Sequence, residues 1–147
     1  MRTTLSVCAA ALLATTALAK DKKPDEKQAA PDRLEVTARL VKIPGTFPPD
    51  DLYDYAYVMK YEVVGGQLDR RPLLVAHYKP RRARSEIKDK MRKHVAGTLR
   101  SFREGEVHQM TLITPVKKVW KGALVDELFA TDRTSTRYFC LRADLKK

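Results

Sequence analysis

Asp50, Asp51 and Asp54 stand together in PPDDLYD. Clustered carboxylates are the hard oxygen ligands that a divalent cation takes. Their spacing does not follow the EF-hand loop, and no bidentate Glu follows at the needed distance. No metal ligand is therefore assigned, and a divalent-metal-dependent hydrolase working through these three aspartates stands only as an alternative. His77, His94 and His108 form no HExxH and no paired-Cys ligand set, and the chain has no Gly-rich phosphate loop and no GxSxG elbow. A barrel nuclease needs a calcium-binding Asp pair with paired arginines, and Asp50-Asp51 with Arg70-Arg71 matches that only faintly. No catalytic residue and no cofactor is expected, which leaves binding as the chemistry to look for.

Aromatic rings beside charge are the better signal. In a strand, Tyr53, Tyr55, Tyr57, Met59, Tyr61 and Val63 share one face, and Asp54, Ala56, Val58, Lys60 and Glu62 the other. Lys60 and Glu62 require solvent, so Tyr57, Met59, Tyr61 and Val63 are expected inside. Tyr53 and Tyr55 fall at the start of the strand, where a ring serves either core or ligand. Just before them, IPGTFPPDDL carries Phe47 and Asp51 on a proline-stiffened loop. The single tryptophan, Trp120, stands between Lys117-Lys118 and Lys121. Rings stack on sugars or bases while neighbouring charges orient the ligand. Phe47, Asp51, Tyr53, Tyr55 and Trp120 are the expected ligand-binding residues, on the rim of one site. A separate basic patch is expected from Arg81, Arg82, Arg84, Lys88 and Arg92, which suits an anionic surface.

The elements that must position these residues follow from period. RLEVTARLVKI alternates with Leu34, Val36, Ala38 and Leu40 on one face, a first strand. Three prolines end it, and a second strand is expected from Tyr53 to Val64. Gly65-Gly66 opens a hairpin into a third strand, Pro72 to Tyr78. Ile87, Met91, Val95, Leu99 and Phe102 then recur every three to four residues, which predicts an amphipathic helix with Ser85 as its N-cap. Glu106 to Thr114 is a fourth strand, a short helix is expected across Gly122 to Phe129, and Thr136 to Asp144 is a fifth strand. The order β-β-β-α-β-β predicts a mainly β fold with one principal helix, a five-stranded OB-fold-like Greek-key barrel.

The first residues bound the compartment. Arg2, the apolar run Leu5 to Leu18 and Ala17-Leu18-Ala19 form a secretory signal peptide, residues 1–19, cut after Ala19. The run is too short to span a bilayer, so no transmembrane segment is expected in the mature chain. Residues 20–31, KDKKPDEKQAAP, form a flexible leader, and the OB-fold-like domain is 32–147. With Cys8 removed, Cys140 has no partner in its own chain. It reads as a small buried hydrophobe, or else as a free thiol or an intermolecular bridge. The chain has no Asn, so N-glycosylation is excluded, and its net charge is +11. In a periplasmic or secreted setting that charge favours anionic envelope surfaces and makes nucleic acid an unlikely partner.

Two strands joined at Gly65-Gly66, a helix, then FREGEVHQMTLI resemble secreted OB-fold domains of the netrin/metalloproteinase-inhibitor type over about Leu34 to Ile113. Those domains carry disulfides and an N-terminal Cys that reaches a metalloproteinase zinc. This chain has neither, so the resemblance implies the barrel and not the inhibition. IPGTFPPDDLYDYAYVMKY also looks like uncharacterised bacterial envelope proteins associated with membrane-bound O-acyltransferase clusters. The expectation is an exported, non-catalytic module binding a polymer or protein partner, an envelope polysaccharide or protein. An accessory subunit of a polysaccharide O-acylation system is a further alternative.

Overall fold

The computed structural model describes residues 33–147. The expected signal peptide and leader lie outside the described residues. Among the described residues there are six strands: β1 Arg33–Lys42, β2 Tyr55–Val63, β3 Pro72–Tyr78, β4 Val107–Ile113, β5 Ala123–Val125 and β6 Arg137–Leu145. Neighbours run β1-β4-β6-β3-β2, and β1 also pairs with β2, so five strands close on themselves. The pairings within the barrel are antiparallel except β3 with β6, which makes it mixed. No helix among the described residues is long and apolar enough to cross a membrane.

The inward alternation is as the period requires. Val36, Ala38 and Leu40 of β1 are buried, and so are Tyr57, Met59, Tyr61 and Val63 of β2, while Lys60 and Glu62 are exposed. With Val75, Met110 and Leu112 they fill the barrel. Ala56 and Val58 point the other way and are equally buried, because a second core covers the outer face of β2, β3 and β6. Closure without a free edge and burial on both faces explain why β2 reads as a nearly continuous apolar run.

The principal helix is absent. Among the described residues the only helical segments are 3-10 turns, including Arg84–Glu86 and Lys90–Lys93. The apolar spacing is obeyed, since Ile87, Met91, Val95, Leu99 and Phe102 are all buried. Yet the stripe serves two cores: Ile87, Met91 and Val95 pack outside the barrel, whereas Leu99 and Phe102 plug its interior. A straight helix presents one stripe to one core. The backbone finds its partners elsewhere. Ala96 N–H donates to Leu141 O, Ala143 N–H to Ala96 O, and Leu99 N–H to Ala143 O, which ties this stretch to β6. Asp89 accepts from its own turn at Met91 N–H, a local bond that competes with helix. Gly97 sits at φ 118, and a Cβ there would collide with the backbone of Ala143.

The short helix across Gly122 to Phe129 is also absent. In its place β5 pairs parallel to β2, Tyr55 with Ala123 through Tyr57 with Val125, and a 3-10 turn follows over Glu127–Ala130. The reason lies in β1. Its pairing with β2 runs only from Ala38–Val63 to Lys42–Lys60, with a bulge between Leu40 and Lys42. The edge of β2 beyond Lys60 is thereby left for β5.

Candidate functional site

Within the barrel, β2, β3 and β4 bring three polar side chains together. Tyr61 Oη lies 3.0 Å from His77 Nε2 and 3.1 Å from His108 Nδ1. His108 Nε2 lies 3.3 Å from Glu106 Oε2. One hydroxyl proton fixes the direction of the string. With the Glu106 carboxylate as acceptor, His108 Nε2 carries its ring proton and Nδ1 accepts from Tyr61. Tyr61 oxygen then accepts from His77 Nε2–H, which leaves His77 Nδ1 without a hydrogen and without a partner. Burial holds His77 well below the ordinary histidine range, aided by the Arg84 charge and by His108. Burial also lowers His108 against the opposing pull of Glu106, and pushes Tyr61 well up. The side chains of Tyr61, His77 and His108 are fully buried, which disfavours charge on either ring.

The expected rim residues do not form one surface. Phe47 is half-buried and sets its ring edge-on to Tyr57 at 4.9 Å. Tyr55, placed at the mouth by its position, is fully buried. It donates from its hydroxyl to Pro48 O at 2.7 Å, tying the proline loop to β2. Burial, with Asp50 next, pushes the Tyr55 hydroxyl up to about 12. Tyr53 is 45% exposed and Asp51 is exposed. Asp50 accepts from Arg82 at 3.0 Å and Asp54 pairs with Lys79 at 2.6 Å, so these carboxylates face cations rather than each other. No cluster of three or more His, Cys, Asp or Glu able to hold a metal occurs among the described residues.

Trp120 is a correction. It read as an exposed ring, but it is 5% exposed, packs on Tyr78 at 5.0 Å and donates from its indole to Ala123 O at 2.8 Å. It belongs to the outer core, whereas Phe47 and Tyr55 belong with the barrel interior, so β2 separates them. Trp120 nevertheless forms one wall of a groove of about 800 Å³ made by the connection between β4 and β6. Leu124 and Phe129, 40% and 50% exposed, supply apolar floor. Lys117, Lys121, Arg133 and Arg137 bring positive charge, and Asp126 is the one acid in the lining. Asp126 Oδ2 accepts from Arg137 Nε at 2.8 Å, while its buried Oδ1 has no partner among the described residues. The Arg133 and Arg137 guanidinium groups lie 5.5 and 5.7 Å from the Phe129 ring.

The basic patch divides. Arg81, Arg82, Lys88 and Arg92 are exposed, but Arg84 is 3% exposed. Its Nη2 donates to the Lys79 and Arg82 carbonyls at 2.8 and 3.0 Å, and its guanidinium stacks on Phe102 at 5.1 Å. Stacking on a ring and carbonyl acceptors suit a guanidinium better than an ammonium.

Sequence reasoning gave His77 and His108 no role and placed Arg84 on an exposed patch. The signal for the histidines was present. His77 continues the inward period of Leu73 and Val75, and His108 begins that of Met110 and Leu112. Arg84 carries no such mark, because its burial depends on an irregular segment. No protein-family model, no curated protein and no solved structure matches this chain.

Proposed function

We propose that this chain is an exported, non-catalytic OB-fold-like module that binds a polymer or protein partner in the cell envelope. The observation that carries the reading is the groove between β4 and β6, with its apolar floor of Leu124 and Phe129 and its cationic rim. Its chemistry favours an acidic polysaccharide. A sugar face stacks on an exposed ring, and carboxylates meet Lys117, Lys121 and Arg133. The fully buried histidine string supports binding over catalysis, since a general acid or base has to reach its substrate. Closure in the order β1-β2-β3-β6-β4, with a long insertion before the last strand, supports the OB-fold assignment. In such barrels the loop before the last strand flanks the ligand site. The likeness to secreted netrin-type domains rests on the same connectivity and on the glycine-marked hairpin.

The test is binding to immobilised alginate and polygalacturonate, with neutral dextran as control. Phe129→Ala combined with Lys117→Glu and Lys121→Glu should keep the circular dichroism spectrum and melting temperature but lose retention on the acidic polymers. Retention equal to that of the native chain, or no binding to any acidic polymer, would remove the reading. Export is checked separately by intact mass of protein from the periplasmic fraction, which should begin at Lys20.

A further inference from the structure

The closed barrel has no edge, but β5 does. Among the described residues β5 pairs with β2 alone, and its far side meets no strand. Which main-chain groups face that side follows from alternation along the ladder. Tyr55 O accepts from Lys79 N–H at 3.1 Å, and Val63 N–H donates to Arg71 O at 2.9 Å. The odd residues of β2 therefore turn to β3. Val64 N–H, just past the strand, donates to Thr37 O of β1 at 2.9 Å, so the even residues turn to the side that β1 and β5 share. Leu124 stands opposite Ala56, an even residue. In a parallel ladder such a residue is served by the two neighbours of the one it faces, here Ala123 and Val125. The N–H and C=O of Leu124 are thereby turned away from β2, and no main-chain bond outside that ladder takes them up among the described residues. Ala123 and Leu124 are both exposed.

We propose that this edge takes up an acidic, extended segment of a partner protein as an added strand. Unpaired main-chain groups on a sheet edge recognise a peptide backbone directly, and alternate side chains of the incoming strand supply the specificity. The charge to be matched is set by the groove. Gly122, Leu124 and Asp126, alternate residues along this stretch, line it together with Lys117, Lys121 and Arg133. A strand added beside β5 lays every second side chain over that same face, where carboxylates meet the three cations. Asp126, the one acid in the lining, is already paired with Arg137. A second copy of this chain would bring the same cations to the same edge, so like charges oppose self-pairing. The inference rests on the binding reading of the groove for its charge alone, and adds a register of main-chain bonds that a sugar polymer lacks.

The probe is an acetylated peptide of alternating valine and glutamate. Its controls are a peptide of alternating valine and lysine, and the acidic peptide N-methylated along its main chain. The acidic peptide should bind and neither control should. In the free protein the Leu124 amide should exchange with solvent faster than that of Val125, and the acidic peptide should slow it. Leu124→Pro removes an N–H that serves no ladder bond, and an edge strand tolerates proline, so the melting temperature should hold while peptide binding weakens about fivefold or more. No binding of the acidic peptide, equal binding of the methylated one, or a Leu124 amide as slow as that of Val125 in the free protein would overturn the proposal. A Leu124→Pro chain that unfolds, or that binds the peptide as the native chain does, would overturn it as well. Retention on alginate by a native chain that ignores the acidic peptide removes this proposal and leaves the polysaccharide reading, and peptide binding without alginate retention does the reverse.

Discussion

Tyr61→Phe removes one oxygen from the centre of the barrel and leaves its volume almost unchanged. The hydroxyl accepts from His77 Nε2–H and donates to His108 Nδ1, at 3.0 and 3.1 Å. Each such neutral bond contributes about 1 kcal/mol net, and each group stripped of its partner while buried costs about 1–3 kcal/mol. The substitution orphans a donor and an acceptor, both fully buried. A loss of about 2–4 kcal/mol is therefore expected. Tyr57→Phe is the matched control. Tyr57 is as deeply buried, but its hydroxyl has no partner among the described residues, so deleting it should be neutral or stabilising by up to about 1 kcal/mol. Urea unfolding at neutral pH, followed by the fluorescence of the single tryptophan, measures both. A Tyr61→Phe midpoint within about 0.5 kcal/mol of the native protein would refute the string. So would a Tyr57→Phe cost as large as that of Tyr61→Phe.

Acid should weaken the fold in a defined window. His77 and His108 are held below 6.5 in the folded state, so the unfolded chain binds more protons once the pH falls through 6.5. Stability is then complete above 6.5 and declines below it, by up to about 1.4 kcal/mol per pH unit for each histidine, until the folded-state values are reached. Asp89 lies below 3.8, because bonds from Tyr78, Met91 and Lys79 outweigh its burial, so its contribution is lost only under stronger acid. A midpoint that stays flat from pH 7 to pH 5 would contradict this assignment. In the segment after β3, Met91→Ala should cost about 2–5 kcal/mol, since Met91 is buried in the outer core. Lys90→Ala, beside it and exposed, should stay within about 0.5 kcal/mol by the same unfolding assay.

The barrel strands were readable because closure enforces a strict period of two, and β1 and the inner side of β2 obey it residue by residue. The helix was misread because spacing alone cannot separate one stripe on a helix from two short stripes feeding different cores. Ile87 to Val95 and Leu99 to Phe102 are such a pair. The deciding bonds run from Ala96 and Leu99 to β6, over forty residues away, and leave no local trace in the sequence. Trp120 was misplaced for a similar reason. Its lysine neighbours suggest exposure, but its ring answers to Tyr78, which is brought there by the β2–β3 hairpin. Tyr53 lies 5.7 Å from Tyr55, while Phe47 meets Tyr57 at 4.9 Å.

Cys140 lies on β6, 3% exposed, with its thiol donating to Arg142 O at 3.1 Å and its acidity suppressed by burial to about 12. A thiol so placed has almost no thiolate to offer and no path to a reagent. Attack on it has to wait for β6 to leave β3 and β4, and those contacts hold the barrel shut. Among the described residues it is the single cysteine. The rate at which a thiol reagent marks the native protein is therefore a clock for the opening of the barrel. At saturating reagent it reads the opening rate itself, and at low reagent the open fraction. An oxidising compartment would leave the folded protein untouched and would trap as disulfide-linked pairs only those molecules that had already come apart.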